Sequence, residues 1–339
     1  MKTGELLLKL SAINGVSGTE DSVVKYLEEL LRGKGDLEVT PLGSLLCRVK
    51  SPKPGGVNIL LDAHIDEIGM VVTYIAENGF LRVASCGGVD RRLLAASPVI
   101  IHTQNGDLDA VVCSIPPHLQ GSGEKKNPAI DEIYIDTGLS AGECKRLIKP
   151  GDRITLRSYP AELLNGCVSG KALDNRAGCA VLIKALELLD KLDCGLTLMF
   201  SSLEETSGNG AKTGAYSVAP THSVVVDASY AHTPDSPREK CGILAEGPMI
   251  GISPVLNREL SARLHTLAEE REIPHQTEAM GSSTGTNADY IASIRGGVKT
   301  ALVSVPLRYM HTPIEVVSPV DVENTAALVA ALAEDIAKL

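Results

Sequence analysis

The sequence has no tryptophan and only two phenylalanines among its 339 residues, and its eight cysteines form no CxxC pair. Acidic residues outnumber basic ones, 42 to 32, which gives a formal net charge of −10. A nucleic-acid-binding protein typically carries a basic surface interleaved with aromatic residues, so this class is excluded. Secreted disulfide scaffolds are shorter and denser in cysteine, so we expect reduced thiols and a cytoplasmic location.

The sequence also has no apolar run near the roughly 20 residues that cross a membrane. Its first apolar stretch, residues 6–10, is short and interrupted by Lys9. This pattern is typical of an amphipathic helix and not of a signal peptide. Hydrophobic residues make up 44% of the chain, which is enough for a large core. We therefore expect a two-domain protein with no membrane or nucleic-acid partner.

Two kinds of sequence pattern alternate along the chain. Residues 71–160 contain short β-rich runs separated by turn signals, among them Asn78-Gly79 and Asn105-Gly106, which predict hairpins. Before and after this segment, helical patterns alternate with apolar strand patterns, which indicates a layered α/β domain. We therefore predict one discontinuous α/β domain, residues 1–70 plus 161–339, into which a small all-β, barrel-like domain, residues 71–160, is inserted.

Candidate metal ligands follow the apolar runs of the predicted α/β domain. They are His64, Asp66, Asp174, Glu204, Glu205, Asp227 and His311. Sites in open α/β sheets form outside the carboxyl ends of the strands, so residues far apart in sequence can reach one crevice. Imidazole and carboxylate groups suit zinc, cobalt or manganese. Two such ions can activate water and polarise a carbonyl, with a further carboxylate as general base.

Each of these residues has an ordinary alternative when taken alone. Adjacent glutamates usually form a solvated face, an aspartate before a helix is usually an N-cap, and a lone histidine is often a satisfied core residue. His64 and Asp66 share one face of a strand, which suits a ligand with a supporting carboxylate. The joint occurrence of all these residues at predicted strand ends favours a metal site.

Five stretches resemble the tetrahedral dinuclear-metal aminopeptidases, a family that includes glutamyl and deblocking aminopeptidases and whose members are sometimes labelled endoglucanases. The stretches are residues 62–69 (DAHIDEIG), 170–178 (GKALDNRAG), 203–205 (LEE), 226–227 (VD) and 308–315 (RYMHTPIE). The resemblance extends over essentially the whole chain. It implies a zinc-peptidase-type α/β catalytic domain, with the inserted β domain used for dimerisation.

The resemblance also implies a role for each candidate. His64 and Asp227 would hold one metal, Glu205 and His311 would hold the second, and Asp174 would bridge the two. Glu204 would be the general base that passes a proton from the bridging water to the leaving amine, and Asp66 would orient His64. We therefore expect two divalent ions per subunit, zinc first, with cobalt or manganese as alternatives. The expected substrates are short peptides and the expected assembly is a homo-oligomer, either a dimer or a tetrahedral dodecamer. His118 lies in a segment that such proteins direct toward a neighbouring subunit.

The sequence departs from the family pattern at some neighbouring positions. Asn175 follows the predicted bridging aspartate, and Asn287 stands where aspartate is frequent. Three alternatives remain open: an N-acyl deacylase or carboxypeptidase with an anion-binding Arg176 or Arg308, a glycoside hydrolase, and an inactive structural homologue. A histidine at position 232, five residues past Asp227, is either near the cleft or in a surface loop.

Overall fold

A computed structural model describes residues 1–119, 127–190 and 192–339 of the chain. The helices are α1 (Thr3–Ala12), α2 (Asp21–Leu31), α3 (Ala141–Leu147), α4 (Leu173–Leu188), α5 (Asn209–Val218), α6 (Arg258–Glu270), α7 (Asn287–Ala292) and α8 (Pro319–Ile336). Among the described residues, no helix is both long and apolar enough to cross a membrane.

The strands divide between a large mixed sheet and a closed barrel. They are β1 (Asp36–Val39), β2 (Leu45–Lys50), β3 (Asn58–His64), β4 (Gly69–Ile75), β5 (Leu81–Cys86), β6 (Pro98–Thr103), β7 (Gly106–Val112), β8 (Ile135–Asp136), β9 (Arg153–Leu156), β10 (Ala161–Glu162), β11 (Val168–Gly170), β12 (Gly195–Ser201), β13 (His222–Tyr230), β14 (Met249–Ile252), β15 (Gln276–Ala279), β16 (Lys299–Arg308) and β17 (Glu315–Val317).

Four parallel strands form the centre of the mixed sheet, in the order β12-β3-β13-β16. These strands are buried almost throughout, because helices cover both faces. Ile59 and Leu61 point into the core on the side of α4 and α8, whereas Leu60 points to the side of α5 and α7. This alternation confirms the predicted layered α/β architecture.

The six strands β4-β5-β8-β7-β6-β9 form the closed barrel, which has its own hydrophobic core. The hairpins predicted at Asn78-Gly79 and Asn105-Gly106 are confirmed as the antiparallel pairs β4–β5 and β6–β7. Gly79 and Gly106 have φ angles of 89° and 117°, a region that glycine adopts without a steric penalty. Two of the strand pairings in the barrel are therefore short-range hairpins, as the turn signals indicate, whereas the others join strands that are distant in sequence.

Asp321 joins the first turn of α8 to the loop before β14. Its carboxylate is fully buried and accepts hydrogen bonds from the backbone amides of Ala245, at 2.7 Å, and Gly247, at 2.9 Å. Burial raises the pKa of Asp321 to about 6, although the two amide bonds oppose the shift. Between its unfolded and folded pKa values, the folded state therefore holds more protons than the unfolded state.

For this reason we expect Asp321→Asn to destabilise the protein less at pH 7 than at pH 4. Asparagine has one acceptor oxygen, so the variant loses one amide bond at every pH. The contribution of the native carboxyl group to the free energy of unfolding also falls by up to about 3 kcal/mol as the pH rises from about 4 to about 6. Asparagine does not titrate, so its contribution does not change. Denaturant unfolding of both proteins at the two pH values measures the difference. A difference that is independent of pH would contradict this account.

Candidate active site

Two of the predicted ligands lie at the carboxyl ends of neighbouring parallel strands. In the β13–β3 register Val225 lies opposite Asp62, so two residues further on Asp227 comes opposite His64. Side chains two residues apart in a strand point to the same face of the sheet. Asp227 therefore shares the face of Val225, His64 shares the face of Asp62, and the two side chains lie on one face. Sheet register alone therefore brings His64 and Asp227 together.

The other ligands come from the segments that leave the sheet at the same edge. Glu204 and Glu205 follow the end of β12, Asp174 lies at the start of α4, and His311 lies in the turn between β16 and β17. Leu203 and His311 have φ angles of 61° and 62°, a left-handed conformation that is uncommon outside glycine. Backbone strain of this kind concentrates at functional sites, where the surrounding structure maintains it.

Five of the candidates form two clusters that share Asp174: His64, Asp174 and Asp227 form the first, and Asp174, Glu205 and His311 form the second. His64 Nε2 lies 3.3 Å from Asp174 Oδ1 and 3.6 Å from Asp227 Oδ1. His311 Nε2 lies 3.5 Å from the other oxygen, Asp174 Oδ2, and 3.2 Å from Glu205 Oε1. Within each cluster, the potential ligand atoms all lie within 4.8 Å of one another. Each of the two oxygens of Asp174 thus faces a different histidine.

Glu204 lies beside the first cluster, with its Oε2 atom 3.9 Å from His64 Nε2. Burial raises the pKa of Glu204 to about 8; the charge of His64 opposes this shift, and the neighbouring carboxylates of Asp227, Glu205 and Asp174 add to it. The pKa values of Glu205 and Asp227 are raised as well, first of all by burial. The carboxyl groups of Glu204, Glu205 and Asp227 therefore hold protons more tightly than free side chains.

The histidines respond in the opposite direction. Burial disfavours a charge on His311, but its contact with Glu205 outweighs burial and raises its pKa to about 9. His64 is also buried, and its contacts with Asp174, Asp227 and Asp66 raise its pKa well above the usual value. The site therefore attracts positive charge, and four carboxylates match the charge of two divalent cations. Imidazole nitrogen and carboxylate oxygen donors fit zinc, cobalt or manganese.

Asp66 contacts three of the candidate residues. Its Oδ1 and Oδ2 atoms accept hydrogen bonds from the backbone amides of Glu204, at 2.9 Å, and Glu205, at 3.1 Å. Its backbone carbonyl oxygen lies 3.1 Å from His64 Nδ1, and Ser17 Oγ donates a hydrogen bond to its carboxylate. A bond from His64 Nδ1 leaves Nε2 free to bind a metal. Asp66 thus positions the β12 loop as well as the imidazole.

These side chains line a cleft of about 520 Å³. Its opposite wall carries further polar and aromatic residues: Tyr230, Glu278, Thr284, Thr286, Asp289 and Tyr290. The cleft is open at the carboxyl edge of the parallel strands, the position expected for a ligand site in an α/β sheet.

Comparison with known proteins identifies the family. The model of the M42 glutamyl aminopeptidases matches residues 43–328. The chain belongs to this family. It is therefore a peptide hydrolase, and the resemblance expected from the sequence motifs is confirmed.

Several relatives match over nearly their whole length. A lysyl aminopeptidase of Pyrococcus furiosus is 30% identical over 98% of this chain and 97% of its own. The structure of aminopeptidase APDkam598 from Desulfurococcus kamchatkensis has a TM-score of 0.91 at 32% identity, covering 98% of this chain and 94% of its own. The TET1 peptidase of Pyrococcus horikoshii, described as assembling into a tetrahedron or a large octahedral shell, has a TM-score of 0.87 at 30% identity, with 98% and 99% covered. Some solved structures that match carry endoglucanase in their names.

Two further residues, to which the sequence analysis gave no role, hold the backbone of the candidate ligands. Glu315 accepts hydrogen bonds from the backbone amides of Asp174, at 3.1 Å, and His311, at 2.8 Å, so one carboxylate holds two of the candidate ligands. Asn175 Nδ2 donates to the carbonyl oxygen of Val226, at 2.8 Å, directly before Asp227. Glu315 is the last residue of the last matching sequence stretch. Nothing in its spacing predicts a hydrogen bond to Asp174, which is 141 residues away in the chain.

The two arginines considered for anion binding do not line the cleft. Arg176 is fully buried and donates hydrogen bonds to the carbonyl oxygens of Ile65 and Leu10. Arg308 Nε donates to the carbonyl oxygen of His232. The requirement of a carboxypeptidase or deacylase for an anion-binding arginine is therefore not met by these two residues.

The two other histidines considered in the sequence analysis, His232 and His118, lie apart from the cleft lining. The ring of His232 contacts Ser236 Oγ, with its Nδ1 atom at 3.2 Å, within the loop after β13. His118 is exposed in a short turn of the inserted segment. In the part of the chain that the structure describes, neither belongs to a potential metal-binding cluster.

Proposed function

We propose that this protein is a dinuclear-metal aminopeptidase that removes N-terminal residues from short peptides. The observation that carries the proposal is the pair of histidine–carboxylate clusters joined by the two oxygens of Asp174. His64, Asp174 and Asp227 would hold the first ion, and Asp174, Glu205 and His311 the second. Bound there, the ions would polarise the scissile carbonyl and activate water.

Glu204 is the proposed general base. It lies beside the first cluster. The carboxylate of Asp66 accepts hydrogen bonds from the backbone amides of both Glu204 and Glu205, which fixes the backbone of this pair. Its carboxylate would accept a proton from the attacking water and pass it to the nitrogen of the leaving peptide. Burial and the neighbouring carboxylates raise its proton affinity, which suits a group that must hold this proton between the two steps.

The proposal extends to the domain arrangement and to the assembly. Residues 1–70 and 161–339 would form the catalytic domain, and residues 71–160 would form a domain used for dimerisation. The closed barrel, with a hydrophobic core of its own, supports a separate role for this insertion. We propose a homo-oligomer, either a dimer or a tetrahedral dodecamer, which is supported by the names of TET1 structures that give a dodecamer and a tetrahedron. We propose a cytoplasmic location.

Metal dependence and substrate class can be tested in one assay. Protein stripped with EDTA should be inactive toward the p-nitroanilides of Leu, Glu and Lys. Zinc, cobalt or manganese should restore cleavage of one or more of them, because the proposed ligands are imidazole and carboxylate groups. N-acetyl-Leu-p-nitroanilide should remain intact. Cleavage of the acetylated substrate alone would replace the aminopeptidase proposal with a deacylase.

The second prediction concerns Glu204. Glu204→Gln should bind two metal ions per subunit as the native protein does, because the amide replaces a group outside the two ligand sets. Turnover should fall by about two to four powers of ten, the usual effect of losing a general acid–base group. Elemental analysis and steady-state kinetics measure the two effects. Native-like turnover would contradict the assignment of the base.

The third prediction concerns Glu315. Glutamine has a single acceptor oxygen, so Glu315→Gln should release the amide of either Asp174 or His311 while the fold is retained. Loss of a group that orients metal ligands typically weakens metal binding by about 10- to 100-fold. Dialysis against graded chelator concentrations, followed by elemental analysis, measures this.

A matched control is Glu29→Gln, which makes the same change at an exposed position of α2. The control should retain metal as the native protein does. Equal metal retention in both variants would show that Glu315 does not position the ligands.

A further inference from the structure

One carboxylate of the cleft, that of Glu278, belongs to neither metal-binding cluster. Glu278 lies on β15. One of its oxygens accepts a hydrogen bond from the hydroxyl group of Ser229 on β13, and the other accepts one from the hydroxyl group of Ser304 on β16, at 3.0 Å. Ser304 lies opposite Asp227 in the β13–β16 register. Ser229 follows Asp227 by two residues, about 7 Å along the same face of the strand. Glu278 is therefore fixed about one side-chain length from the first cluster.

The second additional carboxylate of the cleft, that of Asp289, has a different environment. Asp289 accepts hydrogen bonds from the amide and hydroxyl of Thr284 and from the amide of Gly285. These donors close the loop before α7 and compensate the charge of Asp289 locally. Among the described residues, Glu278 accepts only two hydrogen bonds, both from hydroxyl groups, so its charge is less compensated than that of Asp289. Burial raises the pKa of Glu278, and the two serine hydroxyls oppose the shift by binding the carboxylate.

Within the described residues, the lining of the cleft includes no lysine and no arginine. Two divalent ions would balance the three carboxylates of the metal clusters together with that of Glu204, and Glu278 would then remain as an unbalanced negative charge beside them. A buried charge without a partner is unfavourable, so an acidic substrate side chain would be repelled here and a basic one attracted.

The remaining wall suits the aliphatic part of a basic side chain. Met280, Tyr230 and Tyr290 line the same cleft, and both tyrosines are partly exposed. Lysine buries its apolar stem along such surfaces while its charged end reaches a polar partner. Aromatic faces additionally favour a nearby ammonium or guanidinium group.

We infer that Glu278 selects substrates whose N-terminal residue is lysine or arginine. This inference rests on the proposed aminopeptidase function and names the substrate class of the same site. The N-terminal residue would place its peptide bond at the metal clusters and its side chain toward Glu278, where an ion pair with the carboxylate forms. An acidic N-terminal residue would meet the same carboxylate with a like charge.

The decisive comparison is between lysine and norleucine p-nitroanilides, since norleucine keeps the aliphatic chain and lacks the charge. In the native, metal-loaded enzyme, kcat/KM should be higher for lysine than for norleucine by about tenfold or more, and the glutamate substrate should be the poorest. Glu278→Gln should lower kcat/KM for lysine by about 10- to 100-fold, the usual effect of losing a charge-assisted hydrogen bond. The norleucine value should change by less than about threefold.

A matched control is Glu246→Gln, which removes one negative charge from an exposed loop outside the cleft lining. It should leave the lysine-to-norleucine ratio unchanged. Equal losses for lysine and norleucine in Glu278→Gln would assign Glu278 a structural role and overturn the inference. A native enzyme that prefers norleucine or glutamate to lysine would also overturn it, even if the variant fails to fold. Neither result contradicts the aminopeptidase proposal. That proposal fails only when no free-amine substrate is cleaved.

Discussion

The crowding of the carboxylates of Glu204, Glu205 and Asp227 around Asp174 is the constraint on which the rest of this structure depends. Like charges at these distances repel, and burial strengthens the repulsion because little water screens it. The raised pKa values of Glu204, Glu205 and Asp227 express this cost. A protein retains such an arrangement only when a cation or a function compensates it, and a ligand that binds only the folded state then stabilises that state.

The crowded groups are positioned through their backbones. Asp66 binds the amides of the Glu204–Glu205 pair, Glu315 binds the amides of Asp174 and His311, and Asn175 binds the carbonyl group that precedes Asp227. These bonds leave the ligand oxygens and nitrogens themselves free. They also join segments that are distant in sequence, so that strand ends, a helix start and a turn behave as one rigid edge.

Strand periodicity in the sequence predicts part of this site, whereas the rest depends on tertiary contacts that form only in the folded chain. His64 and Asp227 were predictable because each follows a strongly apolar strand, and parallel strands end at one edge of the sheet. His311 was harder to place from spacing alone, because a turn with left-handed backbone separates it from β16. Asn175 shows the limit of family patterns: a departure from the usual residue forms a buried hydrogen bond to Val226. The role of Glu315 could not be predicted, because its partners are backbone amides that only the folded chain brings near.

The inserted barrel is closer to the catalytic edge than its position in the chain implies. The chain leaves the sheet at β3, immediately after His64, and returns to it at β10; the next strand, β11, ends four residues before Asp174. Gly88, in the loop after barrel strand β5, lies so close to His311 that an added Cβ atom would be 2.9 Å from its Nδ1 atom. Any larger residue there would displace the imidazole or the loop, since this distance is below van der Waals contact. The loop after β5 therefore packs directly against a candidate metal ligand, so the space for the His311 imidazole depends on a glycine at position 88.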